Sequence, residues 1–91
     1  MYQEKINEVW TKESIFPCTG TKTPDGGYFA YFCHLLYKGQ HSHKVVVEEN
    51  EPDTWTAFVE YGDGEMYHRM SSTYVSSDEA FADAIGWVVG Q

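Results

Sequence analysis

The stretch SHKVVVEENEPDTWTAFVEY, residues 42–61, decides how this chain is built. Its second half alternates. Trp55, Ala57, Val59 and Tyr61 share one parity, and Thr54, Thr56, Phe58 and Glu60 share the other, the pattern of a strand whose successive side chains point to opposite faces. Its first half centres on Val45, Val46 and Val47 and reads as a strand over Ser42 to Glu49, since β-branched side chains pack well on a pleated surface. Between the two, Asn50-Glu51-Pro52-Asp53 makes a turn with proline at an inner position. Strands joined by so short a connection pair antiparallel, and the nucleus of the fold is a β-hairpin.

Upstream, Tyr28 to Tyr37 is apolar on both parities and flanked by glycines, which predicts a strand covered on both faces near the sheet centre. Lys38-Gly39-Gln40 turns the chain into the hairpin. Downstream, Gly62-Asp63-Gly64 is a turn, and Glu65 to Ser72 returns with Met66, His68 and Met70 on one parity. Ser14 to Gly27 is dense in Pro and Gly; Asp25-Gly26-Gly27 predicts a tight turn, with a short polar strand over Cys18 to Lys22 leading into it.

Helical patterns stand at both ends. Ser76-Ser77-Asp78-Glu79 fits a capping box, with Val75 and Ala80 spaced as a hydrophobic staple. Phe81, Ala84, Ile85, Val88 and Val89 then mark one helical face, and Gly90 is a stop signal. Tyr2, Ile6, Val9 and Trp10 have the i, i+4, i+7, i+8 spacing of a short N-terminal helix. The fold expected is α+β, one domain over residues 1–91, with an antiparallel sheet of three to four strands and N- and C-terminal helices packed on one face.

Charge is the informative part of the composition. The chain has 6 Lys+Arg against 14 Asp+Glu, a net charge of −8, together with 16% aromatics, too much bulk for a disordered acidic tail. The deficit of cations argues against a binder of nucleic-acid phosphates. The asymmetry is sharper still: residues 1–47 carry a net +1 and residues 48–91 a net −9. Glu48, Glu49, Glu51, Asp53, Glu60, Asp63 and Glu65 lie on two hairpin ends and the strand between them. Such a negative surface steers basic partners, and these seven are the candidate partner-binding residues.

Catalytic and metal-binding patterns are sparse. His41-Ser42-His43 would point two imidazoles to one side of a strand, and with His34, His68, Cys18 or Cys33 could complete a zinc site, the basis of a small metal-dependent enzyme. No Cys-x-x-Cys or His-x-x-x-His spacing accompanies them, so no stoichiometric metal and no cofactor are expected. Cys33 and His34 are adjacent on a strand and point apart, unlike a thiol and its base. Tyr28, Phe29, Tyr31 and Phe32 suggest a base-stacking sheet, but few cations surround them and core packing is the better reading. Two reduced thiols, no secretory leader and no long apolar run lead to the expectation of a cytoplasmic protein without membrane contact.

Lys44 to Ile85, with its valine strand, turn, Trp55-Ala57-Val59 strand and Ser76-capped helix, resembles the HicB-type antitoxin domain, which implies a toxin partner. In size, acidity and lack of catalytic motifs the chain also resembles the small phage-encoded inhibitors of host defence, anti-CRISPR proteins and DNA mimics among them. That resemblance implies a non-enzymatic inhibitor that occludes a basic nucleic-acid-binding surface on a larger host protein, without touching nucleic acid itself.

Overall fold

The structure, a computed structural model, describes residues 3–18, 29–62 and 64–91. Seven strands form one antiparallel sheet: β1 (Gln3–Lys5), β2 (Trp10–Glu13), β3 (Phe16–Pro17), β4 (Ala30–Tyr37), β5 (Gln40–Glu51), β6 (Thr54–Tyr61) and β7 (Met66–Arg69). One helix, α1 (Ser77–Val89), closes the chain. The spatial order is β1-β2-β4-β5-β6-β7, and β3 pairs with β4 as well. β2 lies along Leu35–Tyr37 and β3 along Tyr31 and Phe32, so the two short strands together flank one long neighbour.

The N-terminal helix expected from Tyr2, Ile6, Val9 and Trp10 is not there; β1 and β2 form a hairpin instead. Asn7 decides this locally. Its Oδ1 accepts the backbone N–H of Val9 (2.9 Å) and of Trp10 (2.8 Å), an Asx turn that competes with helical hydrogen bonding. A helix of about ten residues has little stability of its own, whereas the edge of β4 offers a ready ladder. Ile6, Val9 and Trp10 reach the core from the hairpin, so their helical spacing was a coincidence of which residues face inward. Among the described residues the sheet accordingly has seven strands rather than three to four, and the one helix is C-terminal. The tight turn expected at Asp25-Gly26-Gly27, and most of the strand expected over Cys18 to Lys22, lie outside the described residues.

The central hairpins follow their turn chemistry. Lys38 and Gly39 both have left-handed φ (52° and 82°), the two-residue turn whose twist matches the flanking strands. β6 spans the expected residues 54–61, and Pro52-Asp53 joins it to β5. β5 carries an extra residue at each end: Ser42 opposite the Leu35–Leu36 step, and Asn50 near the turn. Such bulges bend a strand and re-aim the side chains beyond them.

α1 lies over β5 and β6. It buries Ala80, Phe81, Ala84 and Val88 against Cys33, Leu35, Val45, Val47, Trp55, Ala57 and Val59. Its cap is close to the expected form. The Ser76 hydroxyl accepts the Glu79 N–H (3.2 Å), but the Glu79 carboxylate reaches back to the Val75 N–H (3.3 Å), one residue before the cap. Val75 is exposed, so the staple is not made. At the start of the helix the Tyr74 hydroxyl donates to Asp83 (2.5 Å), and near its end the His68 ring stacks on Trp87 at 4.0 Å.

Candidate functional site

A sheet with one helix has two unlike faces. The face under α1 is the core. No described element covers the other, which carries three side-chain rows running across the strands. The middle row is apolar: Phe16, Phe32, Val46 and Phe58 are successive register partners on β3 to β6, and Arg69 on β7 ends the row. Beside it run His34, Lys44, Glu60 and Tyr67. On the other side lie Ala30, Glu48 and Thr56. At about 4.8 Å per strand the apolar part of the row is roughly 14 Å long, and the row with Arg69 roughly 19 Å.

Cations on this face lie over aromatic rings. Lys44 Nζ is 4.7 Å from the Phe32 ring centre and 3.9 Å from Glu60 Oε2, and the Arg69 guanidinium is 6.0 Å from Phe58. Phe16 packs on Phe32, and Tyr67 meets Phe58 edge-on. Phe16 is 52% and Tyr67 67% exposed. Two shallow depressions flank Glu60. One, of about 290 Å³, is lined by His34, His41, Lys44 and Tyr61 among others; the second, of about 320 Å³, by Glu48, Phe58, Tyr67 and Arg69.

The histidines do not assemble as His41-Ser42-His43 suggested. The Ser42 bulge sets His41 opposite Leu36 and His43 opposite Leu35, so the two imidazoles emerge on opposite faces. His41 donates from Nε2 to Glu13 Oε1, or pairs with it as a cation, at 2.9 Å, and its ring stacks on His34 at 4.6 Å. His43 instead packs against Trp10 and Tyr61, with Ser42 Oγ 2.7 Å from its Nδ1. Burial holds the His34 pKa below the ordinary histidine value, helped by the charges of His41 and Lys44 against those of Glu13 and Glu60. Burial alone lowers that of His43. Among the described residues no three His, Cys, Asp or Glu side chains converge on a point that a metal could occupy. Cys18 and Cys33 are not joined by a disulfide. Cys33 is fully buried, which pushes its pKa to about 11, with Lys12 opposing.

The acidic candidates divide between the two ends of β6. Glu51 and Asp53 are exposed at the β5–β6 turn, with Glu49 half-buried beside Trp55. Glu48 is on the helix-free face, in the row with Thr56. Glu60 is on the same face, engaged with Lys44, and Glu65 is exposed at the β6–β7 turn. Asp63 lies outside the described residues. The four acids from Glu48 to Asp53 are therefore neighbours, whereas Glu65 sits about 26 Å away, the length of an eight-residue strand at about 3.3 Å per residue. Of the aromatic run, Tyr31 stacks on Trp55 on the core side at 6.0 Å, Phe32 is on the helix-free face, Phe29 is exposed, and Tyr28 lies outside the described residues.

In the sequence the apolar row shows only as Phe58, an aromatic placed among Thr54, Thr56 and Glu60, and as Phe32 in a strand apolar on both parities. Comparison with family models, with curated proteins and with solved structures finds no match to this chain. No helix among the described residues is long and apolar enough to cross a membrane.

Proposed function

We propose that this protein is a non-enzymatic protein-binding module that inhibits a larger partner, with the helix-free face and the adjoining acidic turn as its contact surface. The observation that carries the reading is the row Phe16, Phe32, Val46 and Phe58, over which no described element packs: Phe16 is exposed, Phe32 and Phe58 are half-buried, Val46 is buried between them, and charged residues rim the row. Interfaces are built in this way, from an apolar aromatic centre and a polar rim. Glu48 on this face, with Glu51 and Asp53 exposed at the turn beside it and Glu49 just behind them next to Trp55, favours a basic partner surface, of the kind that otherwise holds nucleic-acid phosphates. Lys44 and Arg69 give the face too little positive charge to hold those phosphates itself. In its most specific form the reading is a phage-type inhibitor of host defence, an anti-CRISPR protein acting by occlusion.

Capture from a bacterial lysate on the immobilised protein, followed by mass spectrometry, tests this. The expected result is retention of a nucleic-acid-binding protein that is lost with Phe32→Ala/Phe58→Ala. It should be weakened, mainly through slower association, when Glu48, Glu49, Glu51 and Asp53 are replaced by their amides. Capture indifferent to both changes, or chemical modification of the captured protein, overturns the proposal.

A further inference from the structure

We propose that in free solution the helix-free face is covered by a second copy of the chain, the two sheets stacking about a two-fold axis that runs along the apolar row. The inference rests on the same reading of that face as a docking surface, and it names the occupant.

Charge complementarity supports this arrangement. Rotation about an axis along the row returns each strand's row residue onto its own counterpart, so Phe16, Phe32, Val46 and Phe58 meet their equivalents across sheets about 10 Å apart. Arg69 comes opposite Arg69 at the exposed end of the row, where solvent screens the two charges. The same rotation exchanges the two flanking rows. On β5, Lys44 and Glu48 stand two residues to either side of Val46, so Lys44 of each copy comes to face Glu48 of the other, twice per dimer. Glu48 has no ion pair among the described residues. A two-fold axis along β5 would set Lys44 against Lys44 and Glu48 against Glu48, which like-charge repulsion disfavours. An axis along the strands between β5 and β6 would set Lys44 against Glu60, so substitution at Glu48 tells the two arrangements apart.

Sheet twist does not undo the pairing. Lys44 and Glu48 lie about 7 Å along β5 from the centre, so a crossing of about 30° displaces them by roughly 3–4 Å, within the reach of a lysine side chain. The face measures about 19 Å across the strands and roughly 20 Å along them, on the order of 400 Å² in flat projection. Side-chain relief enlarges that toward the roughly 600–800 Å² per partner of modest stable interfaces, which implies a micromolar dimer rather than a nanomolar one. A target protein docking on Phe58 competes with the second copy.

Sedimentation equilibrium of the whole chain tests the proposal. Between about 1 and 100 µM, the concentration range of a micromolar dimer, the mass should rise from 10.4 kDa toward twice that value. Lys44→Glu and Glu48→Lys should each weaken dimerisation by about tenfold or more, because each sets like charges together twice. An equimolar mixture of the two variants should regain it, since every exchanged charge then faces an opposite one. Should a charge reversal fail to fold, as judged by circular dichroism, Glu48→Gln should still weaken the dimer, by about threefold or more. A chain monomeric at every concentration overturns the inference, as does a dimer that ignores these substitutions or a mixture that stays monomeric. A chain that dimerises in this way yet captures no target supports the inference and refutes the proposed function. A monomer that captures target through Phe58 does the reverse.

Discussion

Two phenylalanines on opposite faces of the sheet should respond very differently to truncation. Phe81 is 5% exposed and is the one large side chain that α1 buries, beside Ala80, Ala84 and Val88. Its neighbours include Val45, Val47 and Ala57, short side chains on paired strands that cannot close over a vacated ring. Phe81→Ala should therefore cost about 4 kcal/mol, within the roughly 3–5 kcal/mol range for such cavities. A domain of this size has on the order of 5–13 kcal/mol in total, so the variant should keep only about 1–9 kcal/mol. At roughly 4–8 °C per kcal/mol, its Tm should fall by about 16–30 °C. Phe58 is half-buried on the helix-free face, and Phe58→Ala should lose only part of a full burial, about 1–2 kcal/mol. Urea melts followed by tryptophan fluorescence, at protein concentrations low enough to keep the chain monomeric, measure both. Equal losses at the two positions would refute the reasoning, because the second face would then be as enclosed as the first.

Three further outcomes follow from the same geometry. Ser76→Ala should cost about 0.5–2 kcal/mol in the same melts, since the hydroxyl accepts the Glu79 N–H; no loss would mean that the cap contributes nothing. In the native protein an alkylating reagent should label Cys18 and spare Cys33, whose buried thiol becomes reactive only on unfolding; mass spectrometry after brief labelling decides this. His34 and His43 bind a proton less readily folded than unfolded, so their contribution is present above about pH 6.5 and is lost as pH falls below it. The urea midpoint should fall between about pH 7.5 and 5.5, and less steeply in His34→Gln/His43→Gln. A profile that the double variant leaves unchanged contradicts that assignment.

The strands and the final helix were legible in the sequence because their causes are local. The alternation in residues 54–61, the Val45-Val46-Val47 run and the Ser76 cap each act over a few residues, and each element formed where its pattern stood. At the N-terminus a local signal misled. Ile6, Val9 and Trp10 have helical spacing, but the Asn7 turn and the open edge of β4 outweighed it, since pairing with a distant strand is invisible in a short window. His41 and His43 were parted for the same reason: the extra residue at Ser42 exists only relative to the register of β4. Acidity and the absence of catalytic motifs were properties of the sequence alone. Which aromatics stand uncovered was not. Phe16, Phe32 and Phe58 are up to 42 residues apart in the chain, and only the pairing of β3 with β4, β4 with β5 and β5 with β6 sets them in one row. Sequence determines which face of each strand is apolar; the number of helices available to cover the sheet, and hence which face is left open, is decided by tertiary structure.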